Sequence, residues 1–303
     1  ILSGAYFGDR CSPMSSCATL VAACTQTRLY DNVREMLKTA ALPTVLTVAV
    51  FALASVQNPM SAVDGSVLSA LSEGFALHWS VLLPAAPMLI LPLLRVPVKW
   101  AMAISAAIAL ALTVILQGMP LNEALTAALR GYTPKSAALR EILSGGGMLS
   151  MLETCTIVLI TSLYAGILEG IDALAPAKTH VERLAGRLGL FPATALVSTA
   201  LVMVFCNQAV TVMLDTQLLA DSYAIRGASR TELAMDIANS GVVIAGLVPW
   251  SIAITVPLSM LGVGIEAIPW CVLLYLIPLC YLVTKRYFRA GQNLPALSER
   301  TTV

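Results

Sequence analysis

Charged residues divide this chain into long uncharged runs, and the lengths of those runs set the first expectations. A helix needs about 20 predominantly apolar residues to cross a bilayer. Residues 39–63, 100–122 and 267–284 carry no charge and read as spans. Residues 74–94 hold His78 and the helix-breaking Pro84 and Pro87, which predicts a kinked span. Residues 144–168 open on Gly145-Gly146-Gly147 and hold a single charge, Glu153. Residues 11–27 are short and polar at their start. Two further runs are longer and broken: 188–214 by Cys206-Asn207-Gln208, and 237–265 by Pro249 and Pro257. The charged stretch 215–236 between them is expected outside the core. Residues 122–141 are polar and predict an extramembrane helix or loop, and 171–187 an amphipathic surface segment.

Composition makes this a membrane chain. It is 58% hydrophobic and 12% charged, where soluble chains average about 25% charged, and its mean hydropathy is +0.83. The fold class that follows is an all-α polytopic membrane protein. A net charge of +1 gives no basic field for nucleic acid. The seven cysteines form no Cys-x-x-Cys pair and there are only two histidines, so buried thiols are expected rather than disulfides, a metal or a cofactor.

Positive charge assigns sides. Arg28, Arg34 and Lys38 put the first loop in the cytoplasm, Asp64 and Glu73 put the next outside, and Arg95 and Lys99 return to the cytoplasm. Lys285, Arg286 and Arg289 place the tail there too. Counting every run from residue 39 as one crossing leaves the tail on the wrong side. One run must therefore turn back, and the broken ones, 188–214 and 237–265, are the candidates. The chain opens at Ile1 within what reads as a membrane element, so a fragment lacking its N-terminal part is expected.

The first sixteen residues hold the densest polar chemistry: Gly8-Asp9-Arg10-Cys11-Ser12-Pro13-Met14-Ser15-Ser16. Ionisable side chains and irregular backbone persist at membrane depth where they line a cavity or bind something. A second segment has the same layout: Ser3-Gly4 precedes Pro13-Met14-Ser15 as Ser240-Gly241 precedes Pro249-Trp250-Ser251. Corresponding interrupted segments in two halves are the usual pointer to a transporter's binding site. Each proline frees a backbone carbonyl, and freed carbonyls with hydroxyls can coordinate a small cation.

The run Ser3-Gly4-Ala5-Tyr6-Phe7-Gly8-Asp9-Arg10-x-Ser12-Pro13-x-Ser15 resembles the Gly-Asp-(Lys/Arg)-x-Ser-Pro-x-Ser signature of the NhaC-type sodium:proton antiporter family. Ser144-Gly145-Gly146 with Ser150-Met151-Leu152, and Gly241-x7-Pro249-Trp250, match further patterns in order, so that the resemblance covers residues 1 to 285. It implies an inverted-repeat ion transporter with re-entrant hairpins and interrupted helices, multi-pass in a bacterial plasma membrane, whose partners are sodium ions, protons and lipid. The resemblance leaves open a homodimer. It also implies a division of one transporter domain, 1–303: the end of the first repeat (1–38), linking spans (39–143), the second repeat (144–288) and a cytoplasmic tail (289–303). Some members couple to carboxylates, as in malate–lactate exchange, so a carboxylate or amino-acid exchanger is the alternative. Two acidic positions common in the family are Ser16-Cys17 and Ala238-Asn239 here, which leaves Asp9 as the carboxylate of its half-site. No enzyme is expected: an intramembrane aspartyl protease needs Tyr-Asp upstream of Gly-x-Gly-Asp, and here the order is reversed.

Candidate roles follow. Asp9 is assigned to cation binding or proton exchange, with Ser12 and Ser15 as ligands and Arg10 tuning the charge. Glu153 is a second proton carrier, because a carboxylate in lipid is far more costly than the neutral acid. Asn207 and Gln208 line the cavity, and Asn239, Ser240 and Ser251 complete the second half-site. Asp215 and Asp236 border it, Asp236 being the better candidate of the two.

Overall fold

The computed structural model describes residues 1–57, 75–134, 144–170 and 175–289, apart from 77, 95 and 97, together with single positions 69, 72, 74 and 140. Asp64, Glu73, Arg95 and the stretch 290–303 lie outside the described residues, as does the side chain of Glu153. Every regular element described is helical, and an isolated β-bridge joins Tyr132 to Gly145.

In chain order the helices are α1 (Leu2–Cys11), α2 (Ser16–Thr25), α3 (Leu29–Gln57), α4 (Ala85–Leu93), α5 (Val98–Ile115), α6 (Leu121–Arg130) and α7 (Leu152–Gly170). They continue as α8 (Ala175–Leu188), α9 (Leu190–Phe205), α10 (Gln208–Ile225), α11 (Arg230–Ala238), α12 (Gly241–Ile244), α13 (Ile252–Leu261) and α14 (Val272–Arg289). Two compact units result: Ile1–Ala54 with Ile157–Val303, and Ser55–Thr156.

In the smaller unit, Gln117 of the turn after α5 clamps Ala76, accepting from its N–H at 2.9 Å and donating to its carbonyl at 3.3 Å. Ser105 donates to the Pro84 carbonyl at 2.6 Å and ties α5 to the turn before α4. The triple glycine serves a close approach. Gly147 has φ +85°, and a Cβ there would collide with the backbone of Gly131 and Arg130.

The larger unit combines the long α3 with shorter helices. Among the described residues α3 is the helix long and apolar enough to cross a membrane; 99–115, 148–164, 190–205 and 252–261 are shorter apolar helices. The uncharged runs are longer than these helices because breaks divide them. Run 188–214 becomes α9 and the start of α10, and run 237–265 becomes the end of α11, α12 and α13.

Burial is inverted relative to a protein surrounded by water. Val45, Val48 and Leu53 of α3 are more than three-fifths exposed, while Asn32, Ser198, Asp215, Asp236, Asn239, Ser240 and Ser251 are fully buried. An apolar exterior around a polar interior suits lipid as the surrounding medium. One expectation is corrected here. Stretch 215–236 is not a solvated connection but two packed helices, α10 and α11, with both aspartates at zero exposure. Along α10, Thr211, Val212, Asp215, Leu218, Leu219 and Ser222 are buried together, which is a single face at helical spacing.

Candidate functional site

Three chain breaks in the larger unit have the same local cause: a polar residue in extended conformation opens a new helix and caps it. At the first, Pro13 disfavours the helical conformation of the residue before it. Ser12 is accordingly extended (φ −97°, ψ 137°) and α1 ends. Ser12 Oγ accepts the Met14 N–H at 3.1 Å, closing the turn. Ser15 (φ −67°, ψ 132°) then caps α2, its hydroxyl accepting the N–H groups of Cys17 and Ala18 at 3.1 and 3.2 Å. At the second, Cys206 takes a left-handed conformation (φ 57°) to end α9. Asn207 caps α10 by accepting the Ala209 N–H at 2.9 Å. At the third, Ser251 (φ −74°, ψ 138°) caps α13, accepting the Ala253 N–H at 3.3 Å. Ser15 and Ser251 each stand two residues after a proline, in nearly the same backbone geometry.

These breaks meet. Ser15 Oγ donates to Asp9 Oδ1 at 2.9 Å while capping α2. Gln208, the first residue of α10, donates from Nε2 to Asp9 Oδ2 at 3.4 Å and to the Val242 carbonyl of α12 at 2.6 Å. Its Oε1 accepts from the Cys17 thiol at 2.9 Å. Half-buried Asp9 thus lies beside the starts of α2 and α10, and helix N-termini favour negative charge. The opposite pole adjoins it. The Cys206 carbonyl, at the end of α9, accepts the Ile252 N–H at 2.9 Å and Ser251 Oγ at 3.4 Å. Trp250 Nε1 donates to the Met203 carbonyl at 3.0 Å, and Tyr6 OH of α1 donates to the Ala253 carbonyl at 2.5 Å.

Arg10 faces away from Asp9, as adjacent helical residues do. It is 1% exposed, and all five of its N–H groups have acceptors. Nε donates to the Ala238 carbonyl at 3.1 Å, Nη1 to the Met36 carbonyl at 3.1 Å and to Cys11 Sγ at 3.3 Å. Nη2 donates to Thr39 Oγ1 at 2.7 Å and to Asn239 Oδ1 at 2.5 Å. Asn239 in turn donates to the Met235 carbonyl at 2.7 Å. Among the described residues no carboxylate accepts from this guanidinium. The C-terminal end of α11, where Ala238 lies, supplies compensating partial negative charge.

The expected site residues therefore separate into neighbouring clusters. Asp9 accepts from both Ser15 and Gln208, Ser251 joins the Cys206 carbonyl, Asn207 caps, and Asn239 serves Arg10. Ser240 belongs to another group: it donates to the Asp236 carbonyl at 2.6 Å and lies 3.3 Å from Ser198 Oγ. Ser198 donates to Asp215 Oδ2 at 2.5 Å. Asp236 is held in an ion cluster: Lys285 and Tyr223 donate to its Oδ2, and Tyr281 donates to Oδ1 at 3.0 Å. Lys285 also pairs with Glu232 at 3.0 Å. The sequence alone singled out neither Ser198 nor Thr39, and it put Asp236 ahead of Asp215, whose complete burial it did not foresee. Its signal was present, since Asp215 falls on the apolar stripe of α10.

Comparison with known proteins gives these breaks a context. The chain is 25% identical over 290 residues to an uncharacterised Na(+)/H(+) antiporter of Haemophilus influenzae, covering 90% of this chain and 61% of that protein. It is 27% identical over 258 residues to the malate-2H(+)/Na(+)-lactate antiporter of Bacillus subtilis, covering 83% of this chain and 55% of the relative. With the Na(+)/H(+) antiporter NhaC of Alkalihalophilus pseudofirmus it shares 24% over 287 residues, 92% of this chain and 62% of the relative. The chain thus spans little more than half the length of these relatives. No solved structure matches it. The model of the Na+/H+ antiporter family matches residues 4–287, nearly the whole chain, and the chain belongs to that family of membrane transporters.

Proposed function

We propose that this chain carries the ion site of a multi-pass sodium:proton antiporter that works by alternating access in a bacterial plasma membrane. The observation that carries the reading is Gln208. Its carboxamide N–H group holds both the Asp9 carboxylate and the Val242 carbonyl, placing partial positive charge between two oxygens that a cation would bridge. Asp9, Ser15 Oγ, Gln208 Oε1 and the Val242 carbonyl are hard oxygen donors, and carboxylates, hydroxyls and unwound carbonyls suit a sodium ion. Either a proton on Asp9 or a bound sodium neutralises the carboxylate, so the two compete, and competition makes exchange obligatory.

The matching caps at Ser15 and Ser251 support the inverted-repeat reading. In it residues 1–38 end a first repeat, 39–143 link, 144–288 form the second, and 289–303 are a cytoplasmic tail. Glu153 keeps its proposed place as a second proton carrier on α7. Arg10 has no N–H to spare for an organic anion, which favours cation exchange over the carboxylate or amino-acid alternative.

In everted vesicles with a pH gradient read by a quenched amine dye, sodium should dequench the dye. Asp9→Asn removes a charge-assisted contact worth about 1.5–3 kcal/mol and should raise the half-maximal sodium concentration about ten-fold or more. No response of the wild type to any monovalent cation, with uptake of labelled malate or an amino acid instead, would sink the antiport reading.

A further inference from the structure

We infer that Ser198, Asp215 and Ser240 form a second exchange point, at which the Asp215 carboxyl holds a proton that a sodium ion replaces. The inference rests on the antiport reading and adds a site to it.

Asp215 is fully buried at the centre of the larger unit, with Ser198 of α9 and Ser240 at the start of α12 equally buried. Its Oδ2 accepts from Ser198 at 2.5 Å, and its Oδ1 accepts no hydrogen bond among the described residues. A buried carboxylate in that state lacks compensation, and two events supply it: protonation, or a cation. The oxygens for a cation are in place, since Ser198 Oγ lies 3.3 Å from Ser240 Oγ as well as against Asp215. Gly241 keeps the space open. A Cβ there would stand 2.7 Å from Asp215 Oδ2 and 3.2 Å from Ser198 Oγ.

The ionisable groups on helices packed against α10 are committed elsewhere or face outward. From α11, Asp236 and Glu232 pair with Lys285, and Arg230 is exposed. From α8, Lys178 pairs with Asp221 at 3.6 Å and His180 meets the Pro176 carbonyl at 3.0 Å; Glu182, Arg183 and Arg187 are exposed. From α2, Cys17 donates to Gln208, while Cys24 borders a cavity of about 340 Å³. Cys206 ends α9 and is half-buried; α12 has no ionisable side chain. No cation on these helices compensates Asp215. Its charge state is therefore free to follow proton or sodium.

The test adds sodium to the purified protein in weak buffer and follows binding heat and released protons together. Wild type should bind sodium and release protons. Asp215→Asn should bind about ten-fold more weakly and release about one proton fewer per chain, while Asp9→Asn keeps the Asp215 share. Gly241→Ala, which leaves the carboxyl in place but fills its surroundings, should weaken sodium binding in the same way. In the Asp9→Asn, Glu153→Gln background, infrared difference spectra should show sodium removing a protonated-carboxyl band, a readout that does not require the Asp215 variants to fold. Unchanged binding and proton release in folded Asp215→Asn, or no loss of that band, overturns the second site and leaves antiport standing. A wild type that releases no protons on sodium addition overturns both.

Discussion

Arg10→Lys should be as damaging as Arg10→Met, although it alone keeps the charge. The planar guanidinium meets five acceptors on three parts of the chain: Met36 and Thr39 of α3, Ala238 and Asn239 at the end of α11, and Cys11 of its own helix. A lysine ammonium has three donors, is more strongly hydrated and lacks the fork geometry. It would bear the full desolvation of a buried cation with fewer bonds to offset it. Breaking buried charged contacts by removing one side costs about 3–5 kcal/mol. Methionine removes the charge and its desolvation, but leaves at least the Ala238 and Asn239 oxygens without this donor, at about 1–3 kcal/mol each. Both variants should therefore lose stability, read as the temperature at which half the purified protein stays monodisperse. They should also weaken sodium response, because Arg10 fixes α1, and so Asp9, against α11. A lysine variant as stable as the wild type would show that charge, not the fork, is what the position requires.

The breaks that build the candidate site were legible because their causes are local. Pro13 forces an extended Ser12, Cys206-Asn207 interrupts an apolar run, and Pro249 precedes a capping Ser251. The partners were not, because they are distant in the chain. Gln208 reaches Asp9 across 199 positions, and Arg10 reaches Asn239 across 229. Stretch 215–236 misled for a different reason. Counting charge puts it in water, whereas helical periodicity puts Asp215 beside Leu218 and Leu219 on a buried face. Where periodicity and charge disagree in such a chain, a buried charge means a partner or an exchangeable proton. Asp236 has the partner; among the described residues Asp215 has only Ser198.

Lys285→Met should destabilise the larger unit by about 3–5 kcal/mol, the usual effect of leaving a buried charge without its counter-ion. Lys285 is the cation of a cluster with Asp236 and Glu232. Its loss leaves two carboxylates facing each other beneath Tyr223 and Tyr281. Adding Asp236→Asn should recover a large part of the loss, because the amide oxygen can still accept from Tyr281 while one stranded charge is gone. The pair is in direct contact, so the coupling should appear as strong non-additivity in a double-mutant cycle. Equal midpoints for the single and double variants would mean that α14 is held by packing alone, for instance by the edge-on contact of Tyr281 with Phe191, at 4.8 Å between ring centres. The cluster also bears on the ion site. The Asp236 carbonyl accepts from Ser240, and Ser240 is the neighbour of Ser198 and Asp215. A loosened α11 therefore shifts the oxygens of the second exchange point, and Lys285→Met should weaken sodium binding there even though Lys285 touches none of them.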